Sequence, residues 1–236
     1  MAKKYKKLFL DEIKSNKNAV LAKHLSMFFK TKKGEYGYGD KFWGLNIPLQ
    51  RKIAKKYFLN LTLKDIEETL RSPIHEIRFS SLLVLIEKYK IAANSEKKSI
   101  ADLYLSNTKY INNWDLVDLS APAIAGDFWF NSSLEKMFDL AYSNDLWKER
   151  IAIISTFYFI KRDRFDETLK LCEYFLEHNH DLIHKAAGWM LREIGKRNKE
   201  ILYCFLDKFH KKMPRTMLRY SIEKLSDKER KQYMKK

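Results

Sequence analysis

A helical segment recurs along this chain at a nearly constant interval, and that interval limits the folds open to it. The equivalent positions are Arg78, Trp114, Arg150, Lys185 and Arg215, at intervals of 36, 36, 35 and 30 residues. A period of this size, made of paired helices, is typical of α-solenoids, whose repeats stack because one helix pair cannot bury its own apolar face. The sequence therefore predicts an all-α superhelix of HEAT-like repeats, forming a single domain over residues 1–236.

Helical patterning fills almost the whole sequence. Only 7 glycines and 4 prolines occur among 236 residues, so few tight turns interrupt the helices. Three residues are placed to cap helix starts, namely Thr62, Asn112 and Asp181. Apolar spacing predicts helices over 5–16, 18–30, 47–58, 62–71, 74–90, 95–107, 112–126, 132–142, 145–161, 165–177, 182–197, 199–210, 213–224 and 226–235.

The chain is strongly basic. It has 46 Lys and Arg against 30 Asp and Glu, which gives a formal net charge of +16. An excess of this size favours a polyanionic partner such as nucleic acid or an anionic membrane surface. The alternative is that the basic and acidic residues are mixed over a solvated surface and indicate no particular partner. No apolar run is long enough to span a membrane. The basic N-terminal segment has too short an apolar run for an export signal.

Cysteine and histidine side chains are the candidates for a metal or redox site. Cys172 and Cys204 lie in separate apolar runs, without the close spacing of a zinc site or a redox pair. We expect both to be buried in a protein of the reducing cytoplasm. In the cluster with His178, His180 and His184 have the one-turn spacing of metal ligands and Asp181 is nearby, but a polar loop between helices is the simpler interpretation.

One long segment lacks helical patterning. Residues 31–44, here called the glycine loop, hold four of the seven glycines. They resemble a phosphate-binding loop only superficially, because no buried strand precedes them and no Gly-Lys-Ser/Thr follows. The aromatic residues of the loop either touch a nucleic-acid backbone or pack on the first repeat. Packing is the expectation for Phe42 and Trp43.

The recurring segments present their side chains on comparable faces. Residues four positions apart lie one helical turn apart on the same side of a helix, so Trp114 shares a face with Asp118, and Lys185 with Trp189. If the second helix of each pair lines the inner wall, Trp114, Asp118, Arg150 and Trp189 converge on one concavity. In the alternative interpretation, the tryptophans pack between repeats, the Asp118 carboxylate interacts with the helix dipole, and Arg150 pairs with Glu149 or with a neighbouring repeat.

Three patches of the sequence carry a family likeness. They are residues 36–44 (YGYGDKFWG) with Ile47, Pro48 and Arg51, then 114–118 (WDLVD), and 188–193 (GWMLRE). With them the chain resembles, over nearly its whole length, the bacterial DNA alkylation repair glycosylases of the AlkD type, which are built from HEAT-like repeats. The WDxVD pattern with a repeat-spaced arginine and a later Gly-Trp is fairly specific, whereas the glycine patch alone is not. Asn113 stands where members often have a second aromatic residue.

The resemblance implies roles for four residues. Asp118 is the catalytic carboxylate, Trp114 and Trp189 are the aromatic walls at the lesion, and Arg150 contacts the DNA beside it. Ordinary glycoside cleavage needs a second carboxylate to protonate the leaving group. A base alkylated at N3 or N7 already carries a positive charge and leaves as a neutral molecule, so one carboxylate that stabilises the oxocarbenium ion and positions water is enough.

The sequence thus predicts a DNA N-glycosylase that excises cationic alkylated purines from duplex DNA in base excision repair, without full base flipping. We expect a monomer that needs no metal or other cofactor and does not engage membranes. A non-catalytic DNA-binding repeat protein and a peptide-binding scaffold are the alternative functions. Contacts to the duplex backbone are expected from Lys185, Arg192, Lys196, Lys211, Lys212, Arg215 and Arg219.

Overall fold

The computed structural model describes residues 2–235 and shows sixteen α-helices in that range. Extended pairing among these residues is limited to a single parallel bridge between Lys41 and Ile74. The predicted all-α class is confirmed by this content. Contacts divide the chain into two compact units, one ending at Ser120 and the other beginning at Ala121. The single domain over residues 1–236 stays a prediction.

The first unit is arranged around its longest helix, α5. The apolar side chains of α5 (His75–Ile91) point to all sides of the helix and most are buried, as expected for a helix at the centre of a core. Helices α1, α3, α4, α6 and α7 pack against it. The helices of this unit are α1 (Ala2–Ser15), α2 (Ala19–Phe28), α3 (Ile47–Tyr57), α4 (Leu63–Leu70), α5 (His75–Ile91), α6 (Asn94–Ser106) and α7 (Trp114–Ser120).

The second unit is arranged around α13, which packs against α10, α12, α14 and α15. A π-helical turn at Pro122–Gly126 opens this unit, and a short 3-10 turn at Phe175–Glu177 follows α12. Its helices are α8 (Asp127–Phe130), α9 (Glu135–Ala141), α10 (Leu146–Ser155), α11 (Phe157–Ile160), α12 (Asp166–Tyr174), α13 (Asp181–Arg197), α14 (Lys199–Phe209), α15 (Arg215–Ser221) and α16 (Asp227–Met234).

The sequence period corresponds to helices that are neighbours in space. Within the first unit, Arg78 and Trp114 lie on α5 and α7, which pack together. Within the second, Arg150, Lys185 and Arg215 lie on α10, α13 and α15, which pack in that order. Each unit therefore stacks the recurring helices as a repeat array does.

The stacking of α13 on α15 depends on a close backbone approach at Gly188. A methyl group added there would lie 2.5 Å from the Met217 carbonyl oxygen and 2.6 Å from the Tyr220 Cβ. Gly126 makes the equivalent approach, because a methyl group on it would lie 2.5 Å from the Ser155 carbonyl oxygen. Both positions need a residue without a side chain so that the neighbouring backbones can meet.

Each predicted helix overlaps a helix of the structure, but two of them are interrupted. The helix predicted over 112–126 ends at Ser120, because Pro122 has no amide hydrogen to donate to the preceding turn. The helix predicted over 145–161 is divided at Thr156 into α10 and α11. The hydroxyl of Thr156 bonds to the carbonyl of Ile153 at 2.7 Å, and such side-chain bonds compete with the helical ladder.

One of the three predicted helix caps is confirmed and two are wrong by one residue. Thr62 caps α4 in a reciprocal capping box. Asn113, not Asn112, accepts a hydrogen bond from the first amide of α7 at 2.8 Å. His180, not Asp181, caps α13, because its ring Nδ1 accepts an amide hydrogen at 3.1 Å.

The cysteines differ from each other in exposure. Cys172 is buried as expected, and burial raises the pKa of its thiol. Cys204 is exposed, so the expectation that it is buried is wrong. Helix α14 buries Leu202, Phe205 and Leu206 at helical spacing, and position 204 lies off that face. Within residues 2–235, no helix combines the length and hydrophobicity needed to cross a membrane.

Candidate functional site

Helix α7 carries two of the four residues on which the predicted chemistry depends. Trp114 is its first residue and Asp118 lies one turn later, and both side chains are half-buried. Between them, Leu116 and Val117 are fully buried. The short helix therefore turns one face into the core and leaves the indole and the carboxylate on the other.

The Trp114 indole belongs to an aromatic cluster with the residues that end α2. Its ring stacks on Phe29 at a centroid distance of 5.2 Å and an interplanar angle of 25°. Phe28 meets it edge to face at 5.9 Å and is itself 56% exposed. Packing between helices, which is the alternative interpretation, thus describes one face of the indole, and the half-buried residue keeps some exposed surface.

Asp118 lies close to a buried hydroxyl pair at the end of α7. The Tyr104 hydroxyl and the Ser120 hydroxyl are 2.9 Å apart, and both residues are fully buried. Burial, opposed by the Ser120 hydrogen bond and assisted by the charge of Asp118, raises the pKa of Tyr104. Tyr104 is therefore neutral at physiological pH and serves as a hydrogen-bonding group rather than as a base.

A buried charged cluster, which the sequence analysis did not identify, lies at the start of α7. The His75 ring, 3% exposed, has Nδ1 at 3.0 Å from Asp40 Oδ2 and Nε2 at 2.8 Å from Asp115 Oδ2. Arg78 pairs with Asp40 Oδ1 at 2.6 Å, and the Asn113 amide donates to Asp40 Oδ2 at 3.1 Å. Below, these five residues are called the His75 cluster.

Opposite charges dominate the titration of the His75 cluster. Burial alone would lower the pKa of His75, but the charge and hydrogen bond of Asp115, with the hydrogen bond of Asp40, raise it to about 9. Burial alone would raise the pKa of Asp40, but the His75 hydrogen bond and the Arg78 charge hold it below its usual value. The histidine is a cation at neutral pH and Asp40 is ionised.

The glycine loop packs against other parts of the first unit, to which it belongs. The Glu76 carboxylate accepts hydrogen bonds from the backbone amides of Trp43, at 3.0 Å, and Gly44, at 2.7 Å. The Phe42 ring stacks on Phe29 at 5.2 Å and on His75 at 4.7 Å. The loop thus brings Asp40 into the His75 cluster and supports the aromatic cluster around Trp114.

Arg150 lies on α10 and is 4% exposed. Its guanidinium donates a hydrogen bond to the Leu182 carbonyl in the first turn of α13. Glu149, the neighbour in sequence with which Arg150 could pair, has its Oε2 at 3.0 Å from His178 Nε2, and the pairing of Arg150 with Glu149 stays an alternative interpretation. Arg150 thus links α10 to α13, and only a small part of its surface is exposed to a ligand.

Trp189 is half-buried on α13, one turn after Lys185. Its indole Nε1 donates to Glu193 Oε1 at 2.9 Å, which fixes the ring orientation. The Phe157 ring lies at a centroid distance of 5.7 Å, and the Lys161 ammonium lies over Phe157 at 4.3 Å. Phe157 is an aromatic neighbour of Trp189 that the sequence analysis missed, because it lies outside the repeated position.

The seven cations predicted to contact a duplex backbone form two groups in the second unit. Three on α13 are paired with carboxylates: Lys185 with Asp181, Arg192 with Glu223, and Lys196 with Glu193. The other four are exposed and have no carboxylate within ion-pair distance among residues 2–235; they are Lys211, Lys212, Arg215 and Arg219.

The three candidate metal-ligand histidines, at the start of α13 and in the loop before it, make hydrogen bonds to protein groups. His178 Nδ1 accepts from the His180 amide at 3.0 Å, while its Nε2 faces Glu149. His184 Nε2 donates to the His178 carbonyl. These bonds agree with the simpler interpretation of a polar loop between helices.

The structure thus brings Trp114 and Asp118 together in the first unit, and it places Arg150 on a neighbour of the helix that carries Trp189 in the second. The convergence of all four residues on one concavity stays a prediction. The structure adds four neighbours of the predicted site residues that the sequence did not indicate: His75, Asp40, Asp115 and Phe157.

Comparisons with known proteins identify relatives of the chain. A family model described as DNA alkylation repair enzyme matches residues 9–225. Among solved structures, one described as "Predicted DNA alkylation repair enzyme from Enterococcus faecalis" has a similar fold, with a TM-score of 0.70 and 17% identity over 89% of this chain and 97% of that one. This likeness confirms the predicted fold class. No curated protein matches the chain.

Proposed function

Because the chain belongs to the DNA alkylation repair enzyme family, we propose that it is a DNA N-glycosylase that excises cationic alkylated purines from duplex DNA. Its substrates would be of the N3-methyladenine and N7-methylguanine type, and its product would enter base excision repair. The observation that carries this proposal is that a half-buried carboxylate, Asp118, and a half-buried indole, Trp114, lie one turn apart on α7.

A single carboxylate is sufficient for this reaction. The alkylated base is already cationic, so the glycosidic bond breaks without a general acid, and positive charge passes to the sugar. At about 4 Å and an effective dielectric constant of about 20, a carboxylate stabilises that charge by roughly 4 kcal/mol. Since about 1.4 kcal/mol corresponds to a tenfold change in rate, this is worth roughly three orders of magnitude. We assign that role, and the orientation of water, to Asp118.

The tryptophans would select for charge. An indole face attracts a cation by about 0.5–2 kcal/mol, an attraction that neutral bases largely lack. Phe29 covers one face of Trp114, so we propose that the remaining surface meets the lesion or its sugar. Trp189, oriented by Glu193, would supply the second aromatic contact.

We propose that the lesion stays at least partly stacked in the duplex while the enzyme acts on its deoxyribose. Enzymes that rotate the nucleotide out need a deep pocket for the base, and half-buried side chains on a helix face suit contact with the sugar instead. Bulky N7 adducts would then be accepted alongside methyl adducts.

Binding to undamaged parts of the duplex would depend on phosphate contacts. The exposed cations Lys211, Lys212, Arg215 and Arg219 suit sequence-independent contacts of this kind, and Lys185, Arg192 and Lys196 would join them by exchanging carboxylate partners for phosphates. Arg150 would position the backbone beside the lesion through the small surface that it exposes. We propose that the protein acts as a monomer in the cytoplasm.

The decisive experiment measures release of N7-methylguanine from methylated duplex DNA. Asp118→Asn and Asp118→Ala should lower the single-turnover rate by about 100- to 1000-fold, because they remove the charge that stabilises the sugar cation. The matched control is Asp102→Asn, which removes an exposed carboxylate of the same unit that pairs with Lys98. A wild-type protein that binds duplex tightly but releases no base would establish the non-catalytic binding function instead.

A further inference from the structure

The His75 cluster joins three separate parts of the first unit. Asp40 comes from the glycine loop, His75 and Arg78 from α5, and Asn113 and Asp115 from the start of α7. Asp115 lies on the same helix as Asp118 and Trp114, although no member of the cluster has a role in the chemistry proposed above.

The hydrogen-bond geometry requires His75 to be doubly protonated. Both ring nitrogens face carboxylate oxygens, at 3.0 Å for Asp40 and 2.8 Å for Asp115. An ionised carboxylate only accepts hydrogen bonds, so each nitrogen must donate. With Arg78 also paired to Asp40, two cations and two anions balance, which offsets the cost of burying them.

The cluster fixes the first turn of α7 through two side chains. Asp115 Oδ2 receives the His75 hydrogen bond while its Oδ1 accepts from the Leu116 amide at 2.9 Å. Asn113 donates to Asp40 at 3.1 Å and accepts from the Trp114 amide at 2.8 Å. A helix of seven residues has little stability of its own, so its placement depends on such external contacts.

His75 also reaches Trp114 through ring contacts. Its imidazolium stacks on Phe42 at 4.7 Å and lies 5.0 Å from Phe29. Phe29 in turn stacks on the Trp114 indole at 5.2 Å. One buried cation therefore touches both the carboxylate that anchors α7 and the ring that supports its tryptophan.

We propose that His75 is a positioning residue, which sets the placement of Asp118 and Trp114 by holding Asp115 and Phe29. In its catalytic consequence this inference rests on the proposed function. A substitution far from the reacting atoms that displaces a catalytic group by about 1 Å can lower the rate by about 100-fold. The cluster would thus control the chemical step while leaving contacts to the duplex backbone unchanged.

The test compares His75→Gln, Asp115→Asn and the double variant with the wild type. Each single variant should lower the single-turnover rate of N7-methylguanine release by about 10- to 100-fold, without changing the Kd for duplex DNA. The double variant should be no slower than the slower single variant, because both act through one contact. Asp115→Asn keeps the shape of the side chain but removes the charge that holds His75, so it carries the test if His75→Gln fails to fold.

The control and a second measurement separate positioning from general destabilisation. Asp65→Ala removes the buried carboxylate that bonds to Thr62 in the capping box of α4, outside the His75 cluster, and should leave the rate unchanged. The ¹H–¹⁵N signal of the Trp114 indole, assigned with Trp114→Phe, should shift or broaden in His75→Gln and stay in place in Asp65→Ala.

The outcomes distinguish this inference from the proposed function. If the wild type excises the base and His75→Gln matches its rate, or if the losses in the double variant multiply, positioning by His75 is overturned and the glycosylase function stands. If the wild type excises nothing, the glycosylase function fails and the indole signal decides. An unmoved signal in His75→Gln then overturns the anchoring, and a shifted signal upholds it.

Discussion

At the scale of single residues, His75 couples the stability of the first unit to pH. Its folded pKa of about 9 lies above its ordinary value of 6.5, so the folded chain holds a proton that the unfolded chain releases between these values. The stabilisation is complete below pH 6.5 and is lost as the pH rises towards 9. The free energy of unfolding should therefore fall across this window, by up to about 1.4 kcal/mol per pH unit.

Denaturant unfolding of the wild type and of His75→Gln at pH 6.5, 7.5, 8.5 and 9.0 measures this coupling. The variant should be less stable at pH 6.5 and should lack the decline that the wild type shows. His24→Gln removes an exposed histidine of the same unit and should keep the wild-type slope. Parallel curves for wild type and His75→Gln would show that His75 is not the titrating group.

The sequence could not reveal the His75 cluster. Asp40 and Asp115 lie 35 and 40 residues from His75, and none of the three residues occupies the recurring helical position of Arg78, Trp114, Arg150, Lys185 and Arg215. Trp114 and Asp118 could be found, because their one-turn spacing is local and their motif resembles a family pattern. Burial of Arg150 was also hidden, since an arginine in a repeated position is compatible with either a ligand contact or a bond between helices.

At the scale of helices, periodicity predicted almost every element because it depends only on local spacing. Two predicted helices are interrupted at residues that change the backbone hydrogen bonding, which apolar spacing does not show. Pro122 ends α7 by lacking an amide hydrogen, and Thr156 divides α10 from α11. The close approach of α13 to α15 at Gly188 is a further feature that spacing alone does not show, because it depends on the backbone of a helix 29 residues away.

We expect Gly188→Ala to destabilise the second unit by about 1–3 kcal/mol, the range for overpacking a tight contact. The new methyl group would lie 2.5 Å from the Met217 carbonyl oxygen, and a helix backbone cannot yield as a side chain does. Thermal and denaturant unfolding followed by circular dichroism would measure the loss.

Gly195→Ala is the matched control on the same helix. Its methyl group would first meet the end of the Leu202 side chain, at 2.4 Å from Cδ2, which can rotate away. Alanine also favours a helix over glycine by about 0.5–1 kcal/mol. The stability of Gly195→Ala should therefore stay close to that of the wild type. An equal loss in both variants would mean that Gly188 is not required by the α13–α15 contact.

At the scale of the whole molecule, the net charge of +16 and the family membership both favour a polyanionic substrate. Composition alone could not say which of 46 basic residues are available to it. The structure narrows the choice, because ion pairs occupy Lys185, Arg192 and Lys196. The exposed Arg215 and Arg219 lie one turn apart on α15 and make the stronger candidates for phosphate contacts.

The salt dependence of duplex binding tests this assignment. Each phosphate contact contributes about 0.9 to the slope of log K against log salt, so Arg215→Ala with Arg219→Ala should reduce the slope by about 1.8. Fluorescence anisotropy with undamaged duplex at several salt concentrations would measure it. The control is the double variant Lys90→Ala with Lys98→Ala, which removes two positive charges, as the α15 double variant does, but from exposed residues that pair with Glu87 and Asp102. If this control lowers the slope equally, affinity follows net charge and not the cations of α15.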